Sequence, residues 1–295
     1  MKIIANPRAG HGRGEKNVAQ LARIIRRRGL DCRPVLTEHP GHATELARCA
    51  AEAAEARLVV MGGDGTVGEV VEGLVGSNTE LAVVSVGTGN DVARSLGLPL
   101  NDIEAGLDVA FGGSVMAIDV GRERDRHFIS VLGLGFPTIV AEAANRARWL
   151  RGPPAFFISV YKGLYRLRPA HLVIELDDQT LELESVAVMI QNTPYTGGGL
   201  HMAPGAQIDD GLLDVVVVDD IGRLDLMLNF PKVYRGKHLD HPSFTLYQSR
   251  TVRITSPEPM PKMFDGDVIG SSPLEAAVVP RSLKVVVGPS SSNGG

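Results

Sequence analysis

Arg57-Leu58-Val59-Val60-Met61-Gly62-Gly63-Asp64-Gly65-Thr66-Val67-Gly68 runs an unbroken apolar stretch straight into a glycine loop. Consecutive apolar positions are what a strand buried on both faces needs, as in a parallel sheet covered by helices. The loop leads into Val67 to Leu74, which reads as a helix, so the unit is strand–loop–helix. The same unit recurs on either side. Leu81 to Ser85 is a further strand, ending in Val86-Gly87-Thr88-Gly89-Asn90-Asp91. Upstream, Lys2 to Ala5 is a strand closed by Asn6-Pro7. Lys16 to Arg28 places Val18, Leu21, Ile24 and Ile25 on one helical face before Gly29, and Pro34 to Leu36 is a second strand. An alanine-rich helix over His42 to Ala56 follows Pro40-Gly41. This alternation predicts a three-layer α/β nucleotide-binding domain over residues 1–118.

After Asp119 β-type runs dominate: His127 to Val131, His171 to Leu176, Leu181 to Gln191, Leu213 to Val218, Thr251 to Thr255 and Leu283 to Val287. Turns rich in Gly, Pro and Asp separate them. The reading is a second domain over 119–288, an antiparallel β-sandwich interrupted by helical insertions at Pro154 to Leu167 and Leu224 to Lys237. The polar tail 289–295 is expected to be disordered. No internal repeat is visible.

The 295 residues suffice for two ordinary domains, and 44% hydrophobic with 22% charged residues is a globular balance. A net charge of −4 argues against a general nucleic-acid binder. Locally, Gly121 to Ala170 holds nine bases against three acids, or +6, which is a solvated face or a patch for anionic headgroups. The two cysteines, Cys32 and Cys49, make neither a disulfide framework nor a metal motif, which points to a reducing cytosol. No signal peptide is read at Met1, and no apolar run approaches the ~20 residues of a membrane span.

Gly63-x-Gly65-x-x-Gly68 fits a dinucleotide fingerprint, which on its own is weak. The Rossmann reading wants an acidic residue at the end of the next strand, where this chain has a second glycine loop instead. Asp64 would also repel a bare pyrophosphate unless a metal ion intervened. Gly10 to Lys16 lacks the Walker spacing. Tight structural turns are the plain alternative. Yet three glycine-rich loops, Asn6 to Gly14, Gly62 to Gly68 and Val86 to Asp91, would converge on the carboxyl edge of one parallel sheet. Helix N-termini there favour an anion. That predicts a nucleotide site.

Gly62-Gly63-Asp64-Gly65-Thr66 followed by Val86-Gly87-Thr88-Gly89-Asn90-Asp91-x-Ala93-Arg94 resembles the diacylglycerol kinase catalytic domain family, which includes bacterial lipid kinases and sphingosine kinases. Asn6-Pro7-Arg8-Ala9-Gly10, Thr37 with Gly41-His42-Ala43, Asp209 to Asp214, and Phe264-Asp265-Gly266-Asp267 resemble further segments of that family, in order. The resemblance implies ATP in a cleft between an α/β domain and a β-sandwich. Its nucleotide contacts carry over to Asn6, Pro7, Arg8, Ala9, Gly10, Thr37, Gly62, Gly63, Asp64, Gly65, Thr66, Val67, Gly68 and Thr88.

Phosphoryl transfer needs Mg²⁺ on the phosphates and a carboxylate for the attacking hydroxyl. Asp64 is assigned to magnesium or its bound water, with Asp91 and Asp119 as supporting members. Asp91 is equally readable as a helix N-cap and Asp119 as a turn residue. Asp267 is the candidate base, where the family usually carries glutamate; the alternative is a polar turn. The resemblance also implies a structural Mg²⁺ on Asp210 with main-chain oxygens of Gln207 and Leu212, against the alternative of a solvated acidic turn. Ser130 and Pro137-Thr138 depart from the family's asparagine and Asp-Ala.

The stretch Ala155 to Leu167 carries Phe156, Phe157, Val160, Tyr161 and Leu164 beside bases, compatible with core packing or with an interfacial helix. The function expected is therefore an ATP- and Mg²⁺-dependent kinase of a lipid hydroxyl, diacylglycerol or a related long-chain alcohol. It would be cytoplasmic, in peripheral contact with the inner membrane face; a homodimer stays open. An NAD kinase-like enzyme and a nucleotide- or lipid-binding sensor without catalysis are the alternatives.

Overall fold

The computed structural model describes residues 2–10, 12–146, 163–165 and 167–288. The chain forms two compact units. One comprises Met1–Val120 with Pro280–Gly295, and the other Gly121–Val279.

The first unit runs β1 (Lys2–Ala5), α1 (Gly14–Arg28), β2 (Pro34–Leu36), α2 (His42–Glu52), β3 (Arg57–Gly62), α3 (Asp64–Leu74), β4 (Glu80–Ser85), α4 (Asp91–Ser95), α5 (Ile103–Gly112) and the start of β5 (Ser114–Glu123). Its strands pair in parallel in the order β2-β1-β3-β4, with Ile4 opposite Val60 and Val60 opposite Val83. Leu58, Val59, Val60 and Met61 are all fully buried, as a central parallel strand covered on both faces requires. Leu21, Ile24 and Ile25 of α1 and Ile103, Leu107 and Ala110 of α5 pack on one face of the sheet, with Val59 and Met61. Each leucine, isoleucine, valine or methionine among them contributes ~1.5–3 kcal/mol on burial.

The second unit continues with β6 (Arg126–Phe128), β7 (Val131–Gly135), α6 (Phe136–Arg146), β8 (Ala170–Glu175), β9 (Thr180–Gln191), β10 (Tyr195–Thr196), β11 (Leu200–His201), β12 (Leu213–Asp219), α7 (Arg223–Val233), β13 (Phe244–Ser249), β14 (Thr251–Thr255), β15 (Pro261–Phe264), β16 (Asp267–Ser271) and the first half of β17 (Leu274–Val287). The long β9 belongs to two layers. Its second half lies between β7 and β12, and its first half pairs with β8. Leu132, Val188, Ile190, Val215 and Phe264 of one layer share a core with Leu172, Ile174, Val252, Ile254 and Leu274 of the other. That is a β-sandwich. The alternate residues of the first layer, Val131, Met189, Val216 and Met263, pack instead with Phe136 and Val140 of α6 and Leu226, Phe230 and Val233 of α7.

Three expectations change. The division at 119–288 gave the whole C-terminal strand to the second domain, but Val285 pairs with Leu81 and Val286 lies in the first unit's core, so 280–288 return to the first unit. Asp119 and Val120 belong there too. A helix, α6, stands between Val131 and Pro154, a stretch for which the sequence gives no element. The tail 289–295 and most of the 154–167 insertion lie outside the described residues.

Candidate active site

The carboxyl ends of β1, β3 and β4 release three loops that touch through glycines. A Cβ on Gly87 would fall 2.5 Å from the Gly63 Cα, and one on Gly10 (φ +72°) would fall 2.6 Å from the Val86 carbonyl. Only glycine allows backbones this close. Gly62 is equally constrained, since its Cβ would meet Thr66 Cβ at 2.6 Å. A Cβ on Gly65, in the first turn of α3, would stand in open space. The loops form a cradle with tightly packed backbone and open room at Gly65, at the positive end of a helix, where anions are favoured in general.

Side chains lock the cradle. Asn6 Nδ2 donates to Thr66 Oγ1 at 2.8 Å, tying the first loop to the second. Asn6 Oδ1 accepts from the Arg8 amide at 2.8 Å, an Asx turn that folds Pro7 and Arg8 over, and Ala9 is buried beneath. Thr37 joins the same edge, its amide donating to the Ala5 carbonyl at 3.0 Å. Thr88 is exposed on the third loop. The amides of Thr66 and Val67 both donate to the Gly63 carbonyl, and the Val67 side chain is buried, so Val67 serves the core.

Asp64 Oδ1 accepts from the Val92 amide at 3.2 Å, in the first turn of α4. Burial pushes its carboxyl up, while the amides of Val92, Asn90 and Asp91 pull the other way. Asp91 is buried at the start of α4, one residue inside the cap. The cap position itself is Asn90, in the left-handed region at φ +55°, which corrects the N-cap reading of Asp91. Asn90 also accepts from the Gly87 amide at 2.8 Å and donates to its carbonyl at 3.1 Å, shaping the third loop. Asp119 is no turn residue. It lies inside β5, fully buried, with Oδ1 accepting from the Arg281 amide at 2.7 Å.

Glu69, unmarked in the sequence, is a further organiser. Its carboxylate accepts from the Gly41 and Ala43 amides at 2.9 and 3.2 Å, so the N-terminus of α2 is satisfied within the protein.

In the second unit, Asp265-Gly266 is the two-residue turn of the β15–β16 hairpin, with φ +45° and +96°, as a type I′ hairpin turn requires. The turn is more than polar punctuation. Asp265 accepts three backbone N–H groups, from Ile129 at 3.0 Å and from Ser130 and Val131 at 2.9 Å each. Its own amide donates to the Val131 carbonyl at 2.9 Å. Asp267, exposed, opens β16 opposite Phe264, and the Phe264 ring lies under the Arg126 guanidinium at 4.6 Å. Ser130 Oγ is buried without a hydrogen-bond partner, and Thr138 Oγ1 donates to the Gly135 carbonyl at 2.7 Å.

Asp210 Oδ1 accepts from the Leu212 amide at 3.0 Å around Gly211 (φ +77°), a second Asx turn; Gln207 is exposed nearby in sequence. Among the described residues no three His, Cys, Asp or Glu side chains cluster as metal ligands. A cation on this turn would thus depend on one carboxylate and main-chain oxygens, a donor set suited to a hard ion.

A carboxylate thus stands beside close-packed glycine loops at a helix N-terminus of the α/β unit. Residues 1–122 match the diacylglycerol kinase catalytic domain, and residues 130–287 match the YegS C-terminal NAD kinase beta sandwich-like domain. The chain belongs to the diacylglycerol kinase family of lipid kinases. It is 31% identical to a diacylglycerol kinase of Mycobacterium tuberculosis, over 96% of this chain and 93% of that one. It is 28% identical to a diacylglycerol kinase of Bacillus subtilis, over 97% and 95%. A solved structure of a putative diacylglycerol kinase from Bacillus anthracis shares the fold, with a TM-score of 0.81 at 24% identity and coverage of 97% and 96%.

Proposed function

We propose that the protein is an ATP- and Mg²⁺-dependent kinase that phosphorylates a lipid hydroxyl, with diacylglycerol or a related long-chain lipid alcohol as acceptor. The observation that carries this is the glycine cradle at the α3 N-terminus with Asp64 beside it. In this reading the ATP phosphates lie against the loops of Asn6 to Gly10, Gly62 to Gly68 and Thr88, with Thr37 at the rim. Magnesium, when bound near Asp64, would neutralise charge building on the phosphates. Asp64 is suited to that partner, since a cation would offset the burial that disfavours its charged form. Asp91 and Asp119 support the arrangement, and Asp210 with the carbonyls of Gln207 and Leu212 would hold a structural ion.

Asp267 is the proposed base. The lipid hydroxyl gives its proton to Asp267 as its oxygen bonds to the γ-phosphorus, and the bond from that phosphorus to the β–γ bridging oxygen breaks, releasing ADP. The Asp265 clamp beneath supports this role, because it holds the turn that presents Asp267. Asp267→Asn is expected to abolish transfer while leaving ATP affinity within about twofold, measured by calorimetric titration. Equal losses of both would overturn the assignment. ATP binding without transfer in the unaltered protein would favour the sensor.

A lipid acceptor calls for contact with a bilayer. Leu224 (65% exposed) and Leu228 (63%) stand one turn apart on α7, flanked by the exposed Arg223 and Lys232. This pattern supports peripheral docking on an anionic surface such as the inner membrane face. Among the described residues no helix is long and apolar enough to cross a membrane.

A further inference from the structure

We propose that a buried ion pair, Glu123 with Lys262, positions Asp267 for phosphoryl transfer; this rests on the reading in which Asp267 is the base. Lys262 Nζ lies 2.5 Å from Glu123 Oε1, and the two residues are only 6% and 4% exposed. Arg124 Nε approaches the same oxygen at 3.7 Å. Two charges taken out of water this completely are costly. Apolar replacement of both partners of such a pair is often neutral or stabilising. Stability alone is therefore a poor explanation for the pair.

Its place in the hairpin offers a better one. Pro261 pairs with Ser271 and Met263 with Val268, so one residue on β15, Lys262, opposes two on β16, Ile269 and Gly270. This is a β-bulge, and Gly270 at φ +70° supplies its left-handed residue. A Cβ on Gly270 would stand 3.2 Å from Lys262 Cε, so the bulged strand passes close over the lysine stem. Beyond the bulge come Val268 and then Asp267, whose partner Phe264 is two residues from Lys262. The ion pair ties β15 to the end of β5 at the point where β16 changes register. The Asp265 clamp fixes the turn at the hairpin's other end. Between these two anchors, the height and direction of Asp267 are set. Glu123 and Lys262 are thus positioning residues, which act through Asp267 without touching substrate.

The test is the double variant Glu123→Leu with Lys262→Met, which removes both charges at similar volume and leaves no buried ion unpaired. Steady-state kinetics with ATP, Mg²⁺ and diacylglycerol in mixed micelles are compared with the unaltered chain, alongside thermal unfolding. The expected result is a melting temperature at or above the original, KM for ATP within twofold, and kcat lowered by about 10- to 100-fold, the scale of an ångström-sized misplacement. A folded double variant with unchanged kcat overturns the inference while leaving the function intact. An unaltered chain that transfers nothing to diacylglycerol or to any other long-chain lipid alcohol overturns the function, and the inference with it. Should the double variant not fold, Glu123→Asp keeps both charges but retracts the carboxylate by one methylene. Its kcat is then expected to fall about 10-fold with KM for ATP unchanged, and an unchanged kcat again overturns the proposal.

Discussion

Replacing Asp265 isolates the contact that organises the 129–131 segment of the second unit. The residue sits at φ +45°, where asparagine and glycine are tolerated, so either substitution changes the hydrogen bonds with little backbone penalty. Asp265→Asn keeps the Oδ1 acceptor shared by Ser130 and Val131 but turns an amide NH₂ towards the Ile129 N–H. Losing one charge-assisted bond and opposing two donors costs about 2 kcal/mol. Asp265→Gly strands three backbone N–H groups, at ~1–3 kcal/mol each, offset in part by water reaching the loop. Hydrogen exchange at Ile129, Ser130 and Val131 reads the effect where it arises and avoids a single unfolding free energy for a two-unit chain. Exchange at these amides should accelerate about 30-fold in Asp265→Asn, the equivalent of 2 kcal/mol, and further in Asp265→Gly. Amides as protected in both variants as in the original would refute the clamp.

The glycines of the first unit give a contrasting pair. Gly87→Ala forces a methyl against the Gly63 backbone and should lower both melting temperature and ATP affinity, whereas Gly65→Ala meets no protein atom within 4 Å and should lower affinity alone, as calorimetry would show. Asp214 is 2% exposed, and burial pushes its carboxyl up to about 6, well above the ordinary carboxylate range. Its folded state holds the proton more tightly, so its effect on stability is favourable below about pH 4 and is lost as pH rises through 6. Asp214→Asn should therefore stabilise the second unit at pH 7 by at most about 3 kcal/mol, with the gain vanishing by pH 4 in thermal melts. Leu224→Ser with Leu228→Ser should lose sedimentation with phosphatidylglycerol vesicles while keeping activity on a short-chain, monomeric diacylglycerol; unchanged sedimentation would remove α7 as the docking element.

Much of the first unit was legible in sequence because its strands are buried on both faces. Consecutive apolar residues running into glycine loops leave one topology, and the parallel pairing then sends those loops to one edge. What sequence could not show was pairing at a distance. The strand from Leu274 to Val287 is divided by Pro280, and nothing local says that its second half lies beside Leu81. Asp265 looked like an ordinary turn residue, since the amides it holds lie 134 to 136 positions away. Glu123 counted only as one acid of a charged stretch, and nothing local links it to Lys262, 139 positions away. Glu69 was hidden differently: it sits on a helix whose glycine loop drew the reading, while its carboxylate serves the neighbouring helix. Asp119 looked like a turn residue because Gly121 follows, yet both lie inside one continuous strand.

The most direct measurement incubates the purified chain with γ-labelled ATP and Mg²⁺, offering in parallel diacylglycerol, other long-chain lipid alcohols, and NAD. Label is expected in a lipid phosphate, dependent on Mg²⁺ and lost in Asp267→Asn. Label appearing in NAD alone, with none in any lipid, would contradict it.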